Sequence, residues 1–320
     1  MKKLAFSFLA SLLLSACPSP QPTPNPPQPQ PVATGGDVSV GGSAATGGEV
    51  ATGGSGGSTS PCPNFVAPTY DAAVAAAKKV GHHKFTPRHF RPKIRGVGAA
   101  NLAEQTPACS QWHERNVAQY DQGQVGSCTG NADDGSICTQ PFTDTSHCGE
   151  TFAVQAYQGG TCVDNGCSLA KCTCSGCPKA YCPTTGANDN GSTGSSVFTW
   201  MKANGWIADF VTADTEADLT AGIQKTACTV GINFPYSMET IGSTCQAVVN
   251  AASGIAGGHE IEIVGMQLMP DGSKRWWFDN SWGIWGCKDA KGYYGFAWIS
   301  NDDLFGNVLQ MDGDCPILKQ

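Results

Sequence analysis

Hydrophobic and polar residues follow different patterns in the two halves of the 320-residue chain. Beyond residue 206, short apolar runs are separated by Gly, Asn and Asp, which is a pattern typical of β-strands. We therefore predict strands at 230–234, 260–268, 275–278 and 295–299. Before residue 206 the sequence is helical and loop-rich. The pattern indicates an α+β protein in which the helices come first and the sheet second.

Three helices are predicted in the first half, at 70–80, from Cys128 onward and at 197–204. Gly130 and Gly135 each weaken the second helix by about 1 kcal/mol relative to alanine, so packing has to compensate. Between the first two helices, prolines keep the stretch 82–92 extended. Its three histidines have no cysteine or carboxylate ligands at useful spacing, so we predict no metal site there.

Residues 1–16 predict export. Lys2 and Lys3 precede an apolar run at 4–14 that is too short to cross a bilayer. The run ends in Leu-Ser-Ala-Cys, which resembles the lipobox of bacterial lipoproteins and implies lipidation of Cys17. The mature chain is then expected at the outer membrane, on the cell surface or on the periplasmic face. The alternative is an ordinary secreted protein in which Cys17 has no such role.

Composition divides the rest of the chain. Residues 17–60 are first Pro-rich and then Gly- and Ser-rich, which predicts a disordered tether without a core. A short lead-in segment at 61–94 follows. The remaining residues, 95–320, are enough for two lobes around a cleft. We assign 95–205 to a helical lobe and 206–320 to a β-rich lobe.

Charge excludes one class of partner. The net charge is -7, and loss of Lys2 and Lys3 with the signal makes the mature chain more negative. No basic run or basic-aromatic patch occurs, so we expect no nucleic-acid partner. Anionic lipid does not attract such a surface either, which leaves the acyl chains as the membrane attachment. We expect a monomer.

The 16 cysteines are a high number that indicates disulfides in an exported protein. Six of them form a cysteine-rich segment (162–182): Cys162, Cys167, Cys172, Cys174, Cys177 and Cys182. The spacing of Cys172, Cys174 and Cys177 resembles a metal-thiolate loop, but the segment contains no histidine, so a loop stapled by disulfides is favoured. If Cys17 is lipidated and Cys128 is a free thiol, subtracting these two from 16 leaves 14 cysteines, which permit seven bridges.

Small residues surround Cys128 in the stretch 121–132. They suit a tight entry into a helix, which places the sulfur at a helix N-terminus where free N–H groups and the macrodipole favour negative charge. Because a thiolate is the nucleophile, we expect this position to lower the thiol pKa. The Cys128 backbone N–H and the Gln122 side chain are candidate oxyanion donors. A buried or disulfide-bonded cysteine is the alternative.

A nucleophilic cysteine needs a base, and the base needs an orienting group. His259 precedes a predicted strand, which would hold its ring at the edge of a sheet. Further along the chain, Asn280 offers an amide that accepts from an imidazole, and Trp282 offers an indole that shields this bond from water. Cys, His and Asn at three separate places form a triad of the kind that nucleophilic catalysis uses.

Three blocks of the sequence, 122–128, 259–261 and 280–283, resemble the signature blocks of papain-like cysteine peptidases, in family order. The resemblance covers roughly residues 95–320. It implies a papain-like two-lobed α+β fold. A helical N-terminal lobe then faces an antiparallel, β-barrel-like C-terminal lobe across the active-site cleft.

The resemblance also implies roles for single residues. Cys128 corresponds to the nucleophile, His259 to the base and then acid, Asn280 to the orienting group and Gln122 to the oxyanion donor. The substrate-binding set that it implies comprises Asn190, Gly191 and Ser192, whose backbone pairs with the substrate, together with Glu260 and Trp282. Glu260 borders the second specificity pocket, where it favours a basic side chain. Val125 and Thr129 depart from the family's usual Cys and Trp, so one common disulfide is missing.

These observations predict a cysteine-type peptidase that hydrolyses peptide bonds through a thioester on Cys128 and needs no metal or cofactor. Its expected partners are a polypeptide substrate and, through Cys17, the membrane. An acyl transferase or peptide ligase with the same triad is one alternative. A catalytically silent surface binding module is another.

Overall fold

A computed structural model describes residues 66–72, 97–98, 111–269 and 271–319. The predicted signal, the tether, the 73–80 part of the first predicted helix and the histidines of 82–92 lie outside the described residues. None of the helices in the described part combines the length and the apolar character needed to cross a bilayer.

The second half of the chain supplies most of an eight-stranded sheet. Its strands are β1 (Val97–Gly98), β2 (Gln111–Trp112), β3 (Asp209–Thr212), β4 (Cys228–Pro235), β5 (Ile255–Leu268), β6 (Lys274–Asp279), β7 (Phe296–Ser300) and β8 (Leu309–Ile317). They run in the order β1–β3–β8–β4–β5–β6–β7, and β2 pairs with β5 outside this path. β1 and β3 are parallel, whereas the other pairs of the described strands are antiparallel.

The four predicted strands correspond to β4, β5, β6 and β7, and the structure extends or shifts each of them by a few residues. Four strands were not predicted, and β1 and β2 are among them, with two residues each. Of the other two, β3 has only four residues, and β8 alternates apolar and polar residues but contains Gly313 and Pro316, which weaken the strand pattern. Both obtain their strand conformation from pairing, since β8 lies between β3 and β4.

Within the described residues, four α-helices accompany the sheet: α1 (Cys128–Ile137), α2 (Glu150–Asp164), α3 (Gly194–Ala203) and α4 (Glu216–Ile223). α1, α2 and α3 pack on one another, and α1 also packs on β5, so the helical part and the sheet meet along this helix. α3 begins before the predicted residue 197 because the Thr193 hydroxyl caps it by accepting from the Ser196 N–H. The predicted α+β class, with helices before an antiparallel sheet, is confirmed.

Two glycines let α1 approach its neighbours, which explains how the helix tolerates them. A Cβ on Gly130 would overlap the Ala153 carbonyl oxygen of α2, and one on Gly135 would lie 2.5 Å from Glu262 Oε2 of β5. All ten residues of α1 are buried. Burial on two sides therefore compensates for the low helix propensity of glycine.

Six disulfides join cysteines of the described residues. Cys162–Cys172, Cys167–Cys177 and Cys174–Cys182 interlock the cysteine-rich segment, and the remaining three are Cys138–Cys148, Cys228–Cys315 and Cys245–Cys287. The disulfide-stapled loop, as opposed to a metal-thiolate loop, is the state that the structure has. A seventh bridge stays a prediction, because Cys62 and Cys109 lie outside the described residues.

The described part of the lead-in segment is attached to the sheet side of the protein. Thr69 and Lys288 exchange two backbone hydrogen bonds of 2.8 and 2.9 Å. Asp71 accepts from Lys288 Nζ at 2.9 Å and from the Tyr294 hydroxyl at 3.0 Å. Residues 66–72 are therefore part of the same packed unit as the residues of the sheet.

Candidate active site

Cys128 is the first residue of α1 and the one cysteine among the described residues that forms no disulfide. Its side chain is buried. The sulfur accepts hydrogen bonds from the backbone N–H groups of Glu260 and Thr129. Because Glu260 follows His259 directly on β5, the sulfur lies at the strand position next to the predicted base.

The electrostatics of Cys128 differ from the sequence expectation. Burial raises the pKa of the Cys128 thiol to about 12, and the Glu260 carboxylate raises the pKa as well. The two N–H groups that bind the sulfur favour the thiolate, but they do not outweigh burial. The prediction that a helix N-terminus lowers this pKa is therefore wrong for the structure, in which Cys128 is a thiol at neutral pH.

His259 and Asn280 meet as the sequence blocks suggested. His259 Nε2 donates to Asn280 Oδ1 at 2.8 Å, and both residues are buried. The imidazole is enclosed by two aromatic rings. Its centroid lies 5.3 Å from that of Phe234, edge to face, and 5.1 Å from that of Trp282. These rings hold the imidazole in place and keep water from its bond with Asn280.

The segment before Cys128 and the segment after Asn280 are joined directly. Gln122 N–H donates to the Ser281 carbonyl at 2.9 Å, and Gly283 N–H donates to the Tyr120 carbonyl at 2.7 Å. The Gln122 side chain belongs to the same contact. Its Oε1 accepts from the Ser281 hydroxyl at 2.7 Å, and its Nε2 donates to the Val125 carbonyl at 3.0 Å. The side chain of Gln122, the predicted oxyanion donor, is thus held by one residue before Cys128 and by one residue after Asn280.

The predicted substrate segment, 190–192, is partly exposed and partly hydrogen-bonded inside the protein. Asn190 is exposed at the surface, as a residue that meets a substrate should be. The Gly191 N–H donates to the Tyr157 hydroxyl at 2.9 Å, and the Ser192 hydroxyl donates to Asp164 at 2.8 Å. The Gly191 N–H is therefore used inside the protein, and pairing of the backbone of this segment with a substrate stays a prediction.

Glu260 lies beside the first residue of α3, and its place at a specificity pocket stays a prediction. Its side chain is buried, and a Cβ on Gly194, the first residue of α3, would overlap its Oε1. The Glu260 carboxylate is also close enough to Cys128 to raise the thiol pKa. One carboxylate therefore acts both on the sulfur and on the start of α3.

A buried charge cluster lies next to the site and was not predicted. Arg115 forms a salt bridge with Asp279, the residue before Asn280, and both side chains are buried. Glu262 of β5 and Asp134 of α1 complete the cluster around this guanidinium. The sequence feature that could have indicated this cluster is the alternation of Glu260, Ile261 and Glu262. It resembles a strand with one solvent face, but α1 covers that face.

Burial sets the protonation of this cluster. It raises the pKa of Asp134 to about 7, against the hydrogen bond from the Gly149 N–H, which favours the charged form. Burial also raises the pKa values of Glu262 and Asp279, whereas the Arg115 charge opposes both increases. Acidic groups beside the site therefore change charge in the physiological pH range.

One group of possible metal ligands occurs in the described part of the chain: Asp134, Cys138, His147 and Cys148. The two sulfurs are bonded to each other, so only His147 and Asp134 remain as ligands. Their Nε2 and Oδ1 atoms lie 3.8 Å apart. Two ligands do not form a structural or catalytic zinc site.

Fold and site together define a protein with a free cysteine at the N-terminus of a helix and a histidine–asparagine pair on the sheet packed against that helix. No protein-family model and no curated protein sequence matches the chain. Solved structures do match. The matches include xylellain, a cysteine protease from Xylella fastidiosa, with 16% identity, 76% of this chain and 98% of that chain covered, and a TM-score of 0.46.

Two further matches belong to papain-like cysteine proteases. Digestive procathepsin L 3 from the larval midgut of Tenebrio molitor has 16% identity and a TM-score of 0.42, with 72% of this chain and 76% of that chain covered. The bromelain protease from Ananas comosus, in complex with the E64 inhibitor, has 14% identity and a TM-score of 0.35, with 71% of this chain and 100% of that chain covered.

Proposed function

We propose that the chain is a cysteine peptidase in which Cys128 is the nucleophile, His259 the base and then acid, and Asn280 the orienting group. One observation carries the proposal. His259 Nε2 donates to Asn280 Oδ1 at 2.8 Å. The next residue on the strand, Glu260, donates its backbone N–H to the free sulfur of Cys128. A buried thiol, an oriented imidazole and nearby N–H donors are the parts that acyl transfer requires.

In the proposed reaction, Nε2 of His259 keeps its bond to Asn280, so Nδ1 takes the thiol proton as the sulfur attacks the peptide carbonyl carbon. The carbonyl oxygen becomes negative and accepts from the Cys128 N–H and the Gln122 side-chain amide. The imidazolium then gives its proton to the leaving amine as the C–N bond breaks. Water, deprotonated by the imidazole, hydrolyses the resulting thioester and restores the thiol.

The raised pKa of Cys128 determines when the proton moves. At about 12, the pKa keeps the resting sulfur protonated at neutral pH. Proton transfer to His259 therefore accompanies substrate attack and does not precede it. This replaces the preformed thiolate expected from the sequence with a thiol that is activated on substrate binding.

Hydrolysis of a peptide library by the purified protein tests the proposal. We expect cleavage by the wild type, and a loss of at least about 10³-fold for Cys128→Ser and His259→Ala. Asn280→Ala is expected to keep part of the activity, since it changes only the orientation of the ring. Thermal unfolding of each variant provides the control for folding. Equal cleavage by wild type and Cys128→Ser contradicts the proposal.

The same assay distinguishes the two alternatives. A peptide ligase or acyl transferase joins an added amine to the acyl group in competition with water, so a ligated product appears when an amino acid amide is present. A silent binding module retains the peptide without cleaving it.

A substrate preference is also proposed. We expect Glu260 to favour a basic side chain at the second subsite, and equal cleavage of Leu and Arg peptides there contradicts this preference.

We also propose export and lipid anchoring through Cys17. The support is the sequence alone, since Cys17 lies outside the described residues. Mass spectrometry of the mature protein, recovered from membranes, is expected to find an acylated N-terminal Cys17. The variant Cys17→Ser is expected to leave the membrane fraction. Recovery of unmodified Cys17 in a soluble wild-type protein contradicts the proposal.

A further inference from the structure

We infer that Asp189 and Tyr157 are positioning residues that hold the turn before the nucleophile, and that the cysteine-rich segment supports them. This inference rests on the proposed function of Cys128. Val125 stands where the papain-like peptidases that the sequence resembles have cysteine, so a disulfide does not fix the turn that leads into α1 at this position.

The Asp189 carboxylate makes this contact. Gly126 N–H, two residues before Cys128, donates to both oxygens of Asp189 at 3.1 Å. The Tyr157 hydroxyl donates to Asp189 Oδ1 at 2.8 Å and accepts from the Gly191 N–H at 2.9 Å. A continuous chain of hydrogen bonds therefore connects the nucleophile turn with the predicted substrate segment through two side chains.

The contact is tightly fitted. A Cβ on Gly126 would lie 2.7 Å from Asp189 Oδ1 and 3.6 Å from the Tyr157 hydroxyl, so only glycine leaves room for the carboxylate. Tyr157 is completely buried. A charge-assisted hydrogen bond to a buried backbone N–H is among the stronger hydrogen bonds in proteins, which suits a carboxylate that replaces a covalent tether.

The cysteine-rich segment supports both residues from behind. The ring of Tyr181, at the end of the segment, lies 4.8 Å from the ring of Tyr157. Tyr181 N–H donates to Thr161 Oγ1 on α2 at 2.9 Å. Asn188, the residue before Asp189, donates through Nδ2 to the carbonyls of Pro178 and Ala180 at 2.8 and 3.0 Å. The three interlocked disulfides thus fix the backbone that presents Asp189.

The same carboxylate acts on the sulfur. The Asp189 charge raises the pKa of Cys128, although less than burial and Glu260 do. The Asp189 carboxylate therefore has two opposite effects: it holds the turn before Cys128, and its charge disfavours the Cys128 thiolate. Substitutions separate the two effects, because asparagine keeps an acceptor for the Gly126 N–H and removes the charge, whereas alanine removes both.

Three variants test the inference: Asp189→Asn, Asp189→Ala and Tyr157→Phe. Each is assayed for peptide hydrolysis, for the pH dependence of Cys128 alkylation by iodoacetamide and for thermal unfolding. We expect Asp189→Ala and Tyr157→Phe to lower kcat by roughly 10-fold with little change in KM, because the nucleophile loses its fixed position. Asp189→Asn is expected to retain most of kcat and to move the alkylation profile to lower pH.

Asp271→Asn is the matched control. Asp271 is an exposed carboxylate that accepts from Ser273, so its variant tests the loss of one charge away from the site. We expect no change in kcat or in the alkylation profile. Unchanged kcat and unchanged alkylation in both Asp189→Ala and Tyr157→Phe overturn the inference. So does an Asp189→Asn variant that loses as much kcat as Asp189→Ala.

The alkylation profile also separates this inference from the proposed function. If the wild type cleaves no peptide, the peptidase proposal fails, but alkylation still reports whether Asp189 acts on Cys128. If Asp189→Ala does not fold, Asp189→Asn and Tyr157→Phe decide the outcome. Tyr157→Phe keeps the ring packed on Tyr181 and removes only the hydroxyl, so it leaves the packing of α2 intact.

Discussion

Replacing Arg115 by methionine perturbs the buried charge cluster beside the site. Arg115 is fully buried and forms a salt bridge with Asp279, whose side chain is 5% exposed. Methionine has a similar length and no charge, so the change removes the cation and leaves Asp279 without its partner. Breaking a buried ion pair in this way costs about 3–5 kcal/mol of unfolding free energy.

The structure sets the expected size of the effect. For a domain of this size, 1 kcal/mol corresponds to about 2–4 °C, so Tm at neutral pH should fall by about 6–20 °C. Arg275→Met is the matched control. The Arg275 guanidinium lies over the Trp298 ring at 4.1 Å, and loss of this cation–π contact costs only about 1 kcal/mol. Thermal unfolding followed by circular dichroism measures both variants.

The pH dependence gives the stricter test. Burial raises the pKa of Asp279, and the Arg115 charge opposes the increase, so the variant has an even higher Asp279 pKa. A carboxyl group whose folded pKa exceeds its unfolded value binds more protons in the native state, and stability then falls as pH rises between the two values. The gap in Tm between wild type and Arg115→Met should therefore stay nearly constant below the raised wild-type pKa of Asp279 and widen as pH rises above it. A gap that is also constant above this pKa, or a loss no larger than that of Arg275→Met, refutes the argument.

Three other predictions follow from the same contacts. Glu260→Gln should move the midpoint of Cys128 alkylation to lower pH, because the neutral amide no longer opposes the thiolate; an unchanged midpoint contradicts this. Gly130→Ala should destabilise the protein by at least about 2 kcal/mol in denaturant unfolding, whereas Gly242→Ala, where a Cβ meets no atom within 4 Å, should change little. Because burial raises the pKa of Asp134 to about 7, its contribution to stability decreases as pH rises from about 4 to 7, and Asp134→Asn should make Tm less dependent on pH in this range.

The sequence predicts those parts of the structure that depend on local pattern. The apolar runs at β4, β5, β6 and β7 have strand character of their own, so they could be identified without the fold. His259 and Asn280 could be identified because they follow or precede such runs at recognisable places. Their hydrogen bond then results from the pairing of β5 with β6.

Two of the parts that were missed, α2 and Arg115, depend on tertiary contacts. α2 contains Gly159 and Gly160, which weaken a helix by about 1 kcal/mol each, and the reason for them appears only in the fold. A Cβ on Gly160 would lie 2.5 Å from a methyl carbon of Val197 on α3. Arg115 was missed for a similar reason, since no local pattern shows that it faces an aspartate 164 residues away.

The missed carboxylates also explain the error about the thiol. Glu260 and Glu262 alternate with isoleucines on β5, and such alternation usually places charges in water, where they have little effect on a distant group. Because α1 covers this face, both carboxylates are buried beside the helix that carries Cys128. A helix N-terminus that would lower a thiol pKa in water is here outweighed by burial and by a neighbouring carboxylate. The position of a candidate nucleophile can therefore be proposed from sequence, whereas its protonation depends on which face of a strand the helix covers.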